Sequence, residues 1–279
     1  MFIADSQVHI WAAETPERPW RTGARNQPHR AQPFSKDDLL REMNAAGVSR
    51  VVLVPPSMEG DRNDLVVEAA RQHPDRFAAM GRIALNKPES ETLVSTARQQ
   101  GLTGLRVTFY SGGQPLVAGG KADWLWPAAE RAGVPLMASV TTELFPDFKK
   151  VAGKHPGLKL AIDHVGVVRG RKDDEAFANQ LQVMELAKWP NISIKMSAMP
   201  CFSTESYPYA GLHRHIKRVY DAFGPERMFW GTDFTRLPCT YRQAITLFTE
   251  ELPWLTTSDK EWIMGKALCR WLDWPLPES

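Results

Sequence analysis

Short apolar runs alternate along the whole chain with longer runs in which apolar residues recur every three or four positions. The short runs are typical of buried β-strands, and the longer ones indicate amphipathic helices. Candidate strands cover residues 2–6, 50–55, 77–83, 104–109, 135–140, 158–164, 192–197 and 228–233. Strands that alternate with helices form parallel sheets built from β-α-β units. Eight such strands predict an α/β fold, the (β/α)8 TIM barrel.

Capping and breaking residues mark helix ends between these strands. Ser35, followed by Asp38, predicts a capped helix that Gly47 closes. The same signals place helices at residues 64–73, 123–131, 174–188 and 212–223, and an amphipathic terminal helix at 261–274. We therefore expect helices to surround the strands.

Four segments without regular periodicity each follow a predicted strand. They cover residues 11–34, 110–122, 165–173 and 198–210. In a (β/α)8 barrel the loops after the strands form the catalytic face, so we predict long catalytic-face loops. The chain has 279 residues and no linker interrupts the pattern, which predicts a single domain over residues 1–279.

The amino-acid composition and the distribution of charge indicate what kind of molecule the protein binds. Hydrophobic residues make up 43% and charged residues 24% of the chain, as in ordinary globular proteins. The 34 basic and 32 acidic residues are mixed, so neither nucleic acid nor a membrane is an expected partner. The N-terminus has no signal-like apolar run, and we expect a cytoplasmic protein that acts on a small molecule, with a homo-oligomer left open. Its three cysteines have no disulfide or zinc-finger spacing.

Groups capable of chemistry stand at the ends of several predicted strands. Gln7 and His9 follow the first strand, and side-chain alternation directs both to one side if Val8 packs outward. The others are Arg106 and Thr108 on strand four, Asp163 and His164 on strand six, Lys195 and Ser197 on strand seven, and Asp233 on strand eight. Each alone could cap a loop or sit hydrogen-bonded in the core. Their shared position predicts that they converge on one site.

Motifs in chain order give the sequence a family resemblance. DSQVHIW resembles the Asp-x-His-x-His-x-Trp opening of the amidohydrolase-2 branch of the amidohydrolase superfamily. GLRVT, IDHVG, SIKMSAM and MFWGTDFTR resemble that family's motifs on strands four, six, seven and eight. The resemblance spans nearly the whole chain and implies a barrel hydrolase, from a family that includes lactonases.

The chain departs from the family pattern in three places. Gln7 stands where the family has its first histidine. Thr235 and Arg236 stand in place of the usual Pro-His after the last aspartate, and strand five carries Ser139 and Val140 without a histidine. The resemblance implies that such histidines hold one or two divalent ions in the wider superfamily. The depleted set favours a site without a metal.

Asp233 is the predicted general base, because a buried carboxylate near cations can stay ionised and take a proton from water. His164, Lys195 and Arg106 would polarise the carbonyl oxygen of a lactone, and His9 completes the predicted catalytic set. In the alternative with a metal, His9, His164 and Asp233 would hold a single zinc or manganese ion with an activated water.

Arginines on the catalytic side predict an anionic substrate, since guanidinium groups bind carboxylates through paired hydrogen bonds. The candidates are Arg82, Arg106, Arg169, Arg171 and Arg236, of which Arg106 and Arg236 are favoured. The other predicted substrate-binding residues are Gln7, Thr108, Ser197 and Tyr110. Aromatic candidates for an apolar lining are Trp11, Trp20, Phe109, Tyr110, Phe202 and Tyr207.

Three functions fit these residues. The favoured one is hydrolysis of a lactone or similar cyclic ester of a small carboxylated substrate, with Asp233 as the general base on water. The second is metal-dependent decarboxylation or hydration of an aromatic acid. The third is a ligand-binding barrel without catalysis, motivated by Gln7 and the missing histidine on strand five, although the intact Asp233 argues against it.

Overall fold

The fold, taken from a computed structural model, is described for residues 1–23, 27–87, 89–109, 116–117 and 119–277. Eight parallel strands lie side by side in chain order. They are β1 (Ala4–Val8), β2 (Arg50–Leu53), β3 (Phe77–Arg82), β4 (Gly104–Thr108), β5 (Leu136–Ser139), β6 (Leu160–Ile162), β7 (Ile192–Ser197) and β8 (Met228–Gly231). The amide of Asp233 donates to the Gln7 carbonyl at 2.9 Å, so the last strand meets the first. The nearly closed barrel confirms the predicted (β/α)8 fold.

Helices follow the strands on the outside of the barrel. Those described are α1 (Lys36–Ala46), α2 (Asp64–Gln72), α3 (Glu89–Thr96), α4 (Leu125–Ala132), α5 (Phe145–Lys154), α6 (Asp173–Ala176), α7 (Gln180–Glu185), α8 (Ala210–Phe223), α9 (Tyr241–Thr249), α10 (Thr257–Glu261) and α11 (Ala267–Leu272). The predicted cap of α1 is present, because Ser35 Oγ accepts from the Asp38 amide at 3.1 Å. Among the described helices, none has both the length and the apolar character needed to cross a membrane.

Two predicted helices are interrupted. The helix expected over 174–188 is broken between α6 and α7, where the Phe177 ring stacks on His215 of α8 at 4.0 Å between centroids. Nearby, Asn179 donates to the Gly166 carbonyl at 2.6 Å, a contact outside the helix. The terminal helix expected over 261–274 contains a π-helical turn at Trp262–Lys266 between α10 and α11.

The buried apolar side chains form two layers, one outside the ring of strands and one inside it. The larger layer lies between the strands and the outer helices, and it contains Val8 and most other buried apolar side chains. A smaller cluster joins inward residues of the strands, such as Val52, Met80 and Phe229, to Leu268 of α11. The terminal helix therefore closes the barrel at the end opposite the catalytic face. Toward the other end, buried charged side chains such as Arg106 and Lys195 take the place of apolar ones.

Asp5 ties the first and last strands together. Its carboxylate accepts from the amides of Gln7 and Thr232 at 2.9 Å, and also from the Thr232 hydroxyl. The Tyr241 hydroxyl donates to the same carboxylate at 2.8 Å. A Cβ at Gly231 would overlap the Ser6 hydroxyl, so glycine allows the close approach of the strands. The junction of β1 and β8, called the seam below, thus depends on the buried carboxylate of Asp5 and on the absence of a side chain at Gly231.

Asp5→Asn should isolate the free-energy cost of this buried charge. Burial raises the pKa of Asp5 from 3.8 to about 6, against the effect of its hydrogen bonds. The folded state therefore holds the proton more tightly than the unfolded state, and the Asp5 contribution to stability is lost as pH rises through about 6. As pH rises from about 4 to about 7, wild type loses this contribution and Asp5→Asn does not. We therefore expect the unfolding free energy of Asp5→Asn, measured relative to that of wild type, to increase by about 2 to 3 kcal/mol over this range.

Urea unfolding of both proteins at several pH values measures this difference, in which the other titrating groups cancel. Asp37→Asn, which removes an exposed carboxylate of α1, provides the control and should change stability by no more than about 0.5 kcal/mol. A constant difference between wild type and Asp5→Asn over the same range would contradict the role given to Asp5.

Candidate active site

A cavity of about 220 Å³ opens at the C-terminal ends of the strands, where this fold builds active sites. Its lining consists of Gln7, His9, Trp11, Gln27, His29, Pro56, Ser57, Met58, Arg82, Arg106, Thr108, His164, Arg169, Asp233 and Arg236. Most of the residues predicted from strand ends are among them. Lys195 and Ser197 are fully buried and contact this lining from below. Tyr110 lies outside the described residues.

The Gln7 side chain lies between two histidines and a lysine. Lys195 Nζ donates to Gln7 Oε1 at 2.5 Å. The Gln7 amide nitrogen lies 3.4 Å from Nε2 of His9 and 3.4 Å from Nε2 of His164. Since the amide carries two N–H groups, one can point toward each ring. Gln7 thus sets the relative positions of both histidines.

The second nitrogen of each ring is also held. His9 Nδ1 lies 2.6 Å from the Val54 carbonyl oxygen and therefore donates to it. His164 Nδ1 lies 2.9 Å from Ser197 Oγ. Burial lowers the pKa of His164 to about 3, so this ring is neutral near pH 7. Both rings direct Nε2 toward the Gln7 amide and the cavity.

Asp233 lies beside these histidines with an ionised carboxylate. Its Oδ1 is 3.2 Å from His9 Nε2, and its Oδ2 is 3.2 Å from Arg236 Nη1. Burial raises the pKa of Asp233, but His9, His164 and Arg236 outweigh burial and hold it well below the ordinary value. The carboxylate is only 1% exposed, yet it borders the cavity. It can therefore accept a proton from a bound molecule.

Backbone conformations at the strand ends are unusual. Asp233 has φ +51°, His164 has φ +52° and the following Val165 has φ +56°. Left-handed conformations cost free energy for residues with a Cβ, most of all for a β-branched residue such as valine. Such strained positions are typical of functional sites, where the surrounding structure holds them.

A buried ion network lies directly beneath Gln7. Asp163 Oδ1 is 2.9 Å from Lys195 Nζ, and Asp163 Oδ2 accepts from Arg106 Nε at 2.7 Å. Arg106 Nη2 donates to Ser139 Oγ at 3.2 Å. Burial raises the pKa of Asp163, but Lys195 and Arg106 outweigh it and keep the pKa below the usual range. Ser139, on the strand that lacks a histidine, thus accepts a hydrogen bond from Arg106.

Several other predicted candidates lie elsewhere. Phe109 is fully buried against Trp126 and Phe148, so the expectation that it lines the cavity is wrong. Its position one residue beyond β4 directs the ring into the outer apolar layer. Arg171 pairs with the exposed Glu175 on the surface.

His29 is a cavity residue that the sequence did not single out. Its Nδ1 lies 2.8 Å from Thr235 Oγ1, and its ring centroid is 5.5 Å from that of His9. Burial lowers its pKa to about 4. The residue belongs to the aperiodic segment after β1, so no strand end marked it. The contact also gives a role to Thr235, which replaces the proline of the family motif.

Comparison with known proteins agrees with this architecture. The family model described as amidohydrolase matches residues 4–267. L-fucono-1,5-lactonase from Burkholderia multivorans is 26% identical over 246 residues, covering 82% of this chain and 81% of that protein. 4-Sulfomuconolactone hydrolase from Hydrogenophaga intermedia is 22% identical over 243 residues, covering 82% and 73%.

Solved structures share the fold. The crystal structure of an amidohydrolase from Burkholderia multivorans with bound zinc superposes with a TM-score of 0.82 at 22% identity. The superposition covers 99% of this chain and 100% of that one. Together with the family match, it confirms the family resemblance that the ordered motifs predicted.

Asp163→Asn is expected to destabilise the fold strongly, because it leaves two buried cations without their shared carboxylate. We expect the free energy of unfolding to fall by about 3 to 5 kcal/mol, measured by urea denaturation. Adding Lys195→Met should recover part of the loss by removing one of the two cations. The exposed pair of Asp221 and Lys217 supplies the control, since Asp221→Asn should change stability by no more than about 0.5 kcal/mol. A double variant less stable than Asp163→Asn would contradict the pairing.

Proposed function

The chain belongs to the amidohydrolase family, and on that premise we propose that it hydrolyses a lactone or similar cyclic ester of a small carboxylated substrate. The observation that carries the proposal is the ionised carboxylate of Asp233, buried at the cavity and in contact with His9. Two relatives support it, because both are named for acting on lactones and one name specifies a sulfonated lactone.

In this proposal Asp233 is the general base. It accepts a proton from water while the water oxygen attacks the carbonyl carbon of the lactone. The tetrahedral intermediate then collapses, the bond between that carbon and the ring oxygen breaks, and the proton on Asp233 passes to the departing oxygen. The product is an open-chain hydroxy acid, and the carboxylate of Asp233 is restored. Arg236, which donates to Asp233 Oδ2, orients the carboxylate throughout.

The charge that develops on the carbonyl oxygen requires nearby positive charge. Lys195 and Arg106 share the single carboxylate of Asp163, so two cations stand against one anion beneath the cavity. A fixed positive potential in a site shielded from water stabilises an oxyanion without reorganisation.

The zinc bound to the Burkholderia structure raises the question of whether these residues fit a metal. The amide oxygen of Gln7 is the atom that would bind a cation, but it accepts a hydrogen bond from the Lys195 ammonium. The amide nitrogen, which does not bind metals, faces both histidines. Over the part of the chain that the structure describes, no cluster of His, Cys, Asp or Glu has the arrangement of a metal site. The donor set therefore supports hydrolysis without a metal.

A substrate panel tests the proposal. Purified protein is incubated with carboxylated five- and six-membered lactones and with aromatic acids, with and without EDTA, and its metal content is measured. We expect ring opening that EDTA does not affect. Inhibition by EDTA with restoration by zinc or manganese would overturn the metal-free mechanism. Release of carbon dioxide would instead indicate the decarboxylase, and binding without turnover would indicate the non-catalytic barrel.

Asp233→Asn keeps the size of the side chain but removes the base. We expect kcat on a lactone that wild type opens to fall by about 100- to 10,000-fold, while the circular dichroism spectrum stays the same. Asp147→Asn, on the outer helix α5, is the control and should retain wild-type kcat. Full activity of Asp233→Asn would exclude this residue as the base.

Protonation of His164 can be followed directly. Because burial holds its pKa at about 3, the ring should stay neutral from about pH 5 to about pH 8. NMR of ¹⁵N-histidine-labelled protein, with the signal assigned by its loss in His164→Gln, should show constant shifts over that range. The same protein unfolded in urea is the control and should titrate near pH 6.5. Titration of the folded His164 near that value would contradict the neutral ring.

A further inference from the structure

Four side chains of the cavity lining carry shielded polar atoms without a hydrogen-bond partner in the described ranges: Trp11, Arg82, Thr108 and Asp233. Away from Asp233, the atoms able to donate to an anion include Nε and Nη1 of Arg82 and Oγ1 of Thr108. Two other cavity arginines differ, since Arg106 donates to Asp163 and Arg236 to Asp233. A shielded donor without a partner costs free energy, so few native structures keep one without a use. These atoms are therefore candidates for contact with a ligand.

The position of the two residues is defined by the barrel. Arg82 ends β3 and Thr108 ends β4, and Arg82 lies in register with Arg106 on the neighbouring strand. In a ring of eight strands in chain order, β4 lies across from β8. Asp233 stands two residues beyond β8, so Thr108 lies across the mouth of the barrel from the proposed base, and Arg82 ends the strand beside it.

The backbone of Arg82 is fixed by a neighbouring amide. Asn63 Oδ1 accepts from the Arg82 amide at 2.7 Å, and Asn63 Nδ2 donates to the Arg82 carbonyl at 3.0 Å. This double contact fixes the backbone at the end of β3, from which the Arg82 side chain reaches the cavity.

The guanidinium also keeps its charge. Burial, together with the nearby Arg106 and Arg21, lowers the pKa of Arg82 to about 9, which still leaves a cation near pH 7. A shielded cation favours an anion, because the interaction is strong where water is excluded. The hydroxyl of Thr108 can donate to the same anion.

We propose that Arg82 and Thr108 form the subsite for a carboxylate of the substrate. The inference rests on the proposed function for the reaction and adds the substrate class, a cyclic ester whose carboxylate lies across the ring from the scissile carbonyl. Such a molecule spans the cavity, with the carbonyl at Asp233 and the carboxylate at Arg82. Arg106 and Arg236, favoured from the sequence, keep carboxylate partners of their own and are secondary to Arg82 in this role.

A binding experiment tests the subsite without any turnover. Isothermal titration with citrate, a small tricarboxylate, is carried out on wild type and on Arg82→Met. We expect the affinity to fall by about 10- to 100-fold, the range for loss of a charge-assisted hydrogen bond. Arg71→Met, an exposed arginine of α2 with the same change in net charge, should stay within about twofold. Equal affinity of Arg82→Met and wild type would overturn the subsite.

A kinetic experiment tests the position of the carboxylate. Two lactones that differ only in a carboxylate or a carboxamide are compared. For Arg82→Met, kcat/KM on the carboxylate lactone should fall by about 10- to 100-fold, and on the carboxamide by less than about threefold. Arg82→Lys should recover part of the kcat/KM that Arg82→Met loses on the carboxylate lactone. Thr108→Val should lower kcat/KM on that lactone by about 3- to 10-fold. Circular dichroism spectra of all variants should match wild type.

The two experiments separate failure of the subsite from failure of the hydrolase. Equal losses on both lactones would overturn the subsite while leaving hydrolysis intact. If wild type opens neither lactone, the proposed function fails, and the citrate titration still decides whether Arg82 binds a carboxylate. Loss of citrate binding in Arg82→Met alone would then support the subsite in a protein with another reaction.

Discussion

The carboxylate of Asp163 is shared by two cations inside the barrel, and the order of the site follows from it. Asp163 holds Lys195, and Lys195 donates to Gln7. Gln7 then faces both histidines, of which His9 contacts Asp233. Five strands are therefore joined in one polar chain of contacts, from Arg106 on β4 to the end of β8. Displacing any link would leave a charged or polar group buried without its partner, which is costly in an interior of low dielectric.

The same chain of contacts explains how a lost histidine can be tolerated. In the family pattern the position of Gln7 is a histidine, and a change to an amide weakens affinity for zinc-like ions. In this protein the amide has a different set of partners, because its oxygen contacts an ammonium and its nitrogen contacts two imidazoles. Glutamine at this position therefore has a hydrogen-bond partner for each of its polar atoms. Ser139 on β5, where the family pattern also has a histidine, likewise has a partner, because it accepts from Arg106.

Much of the fold could be predicted from the sequence, because strands and strand ends are local patterns. The eight strands were located within a few residues, and most strand-end residues reach one cavity. The pairing of cations was not predictable, since the choice between Arg82 and Arg106 as partner of Asp163 depends on contacts between strands far apart in sequence. His29 was missed because it lies in an aperiodic loop. The break in the helix over 174–188 also depends on a distant residue, His215, which stacks on Phe177.

The seam between β1 and β8 imposes an order of events on the folding of the chain. Asp5 and Thr232 are 227 positions apart, yet their contact closes the barrel. During synthesis, the first strand emerges long before its second neighbour exists, and the entropy of so long a loop opposes early contact. The edge of β1 therefore stays open until the last strand has been made, and it carries a carboxylate that would be buried only afterwards. A charged group on an unpaired edge disfavours pairing with other chains, so the carboxylate that later joins the two strands opposes association while the edge is open.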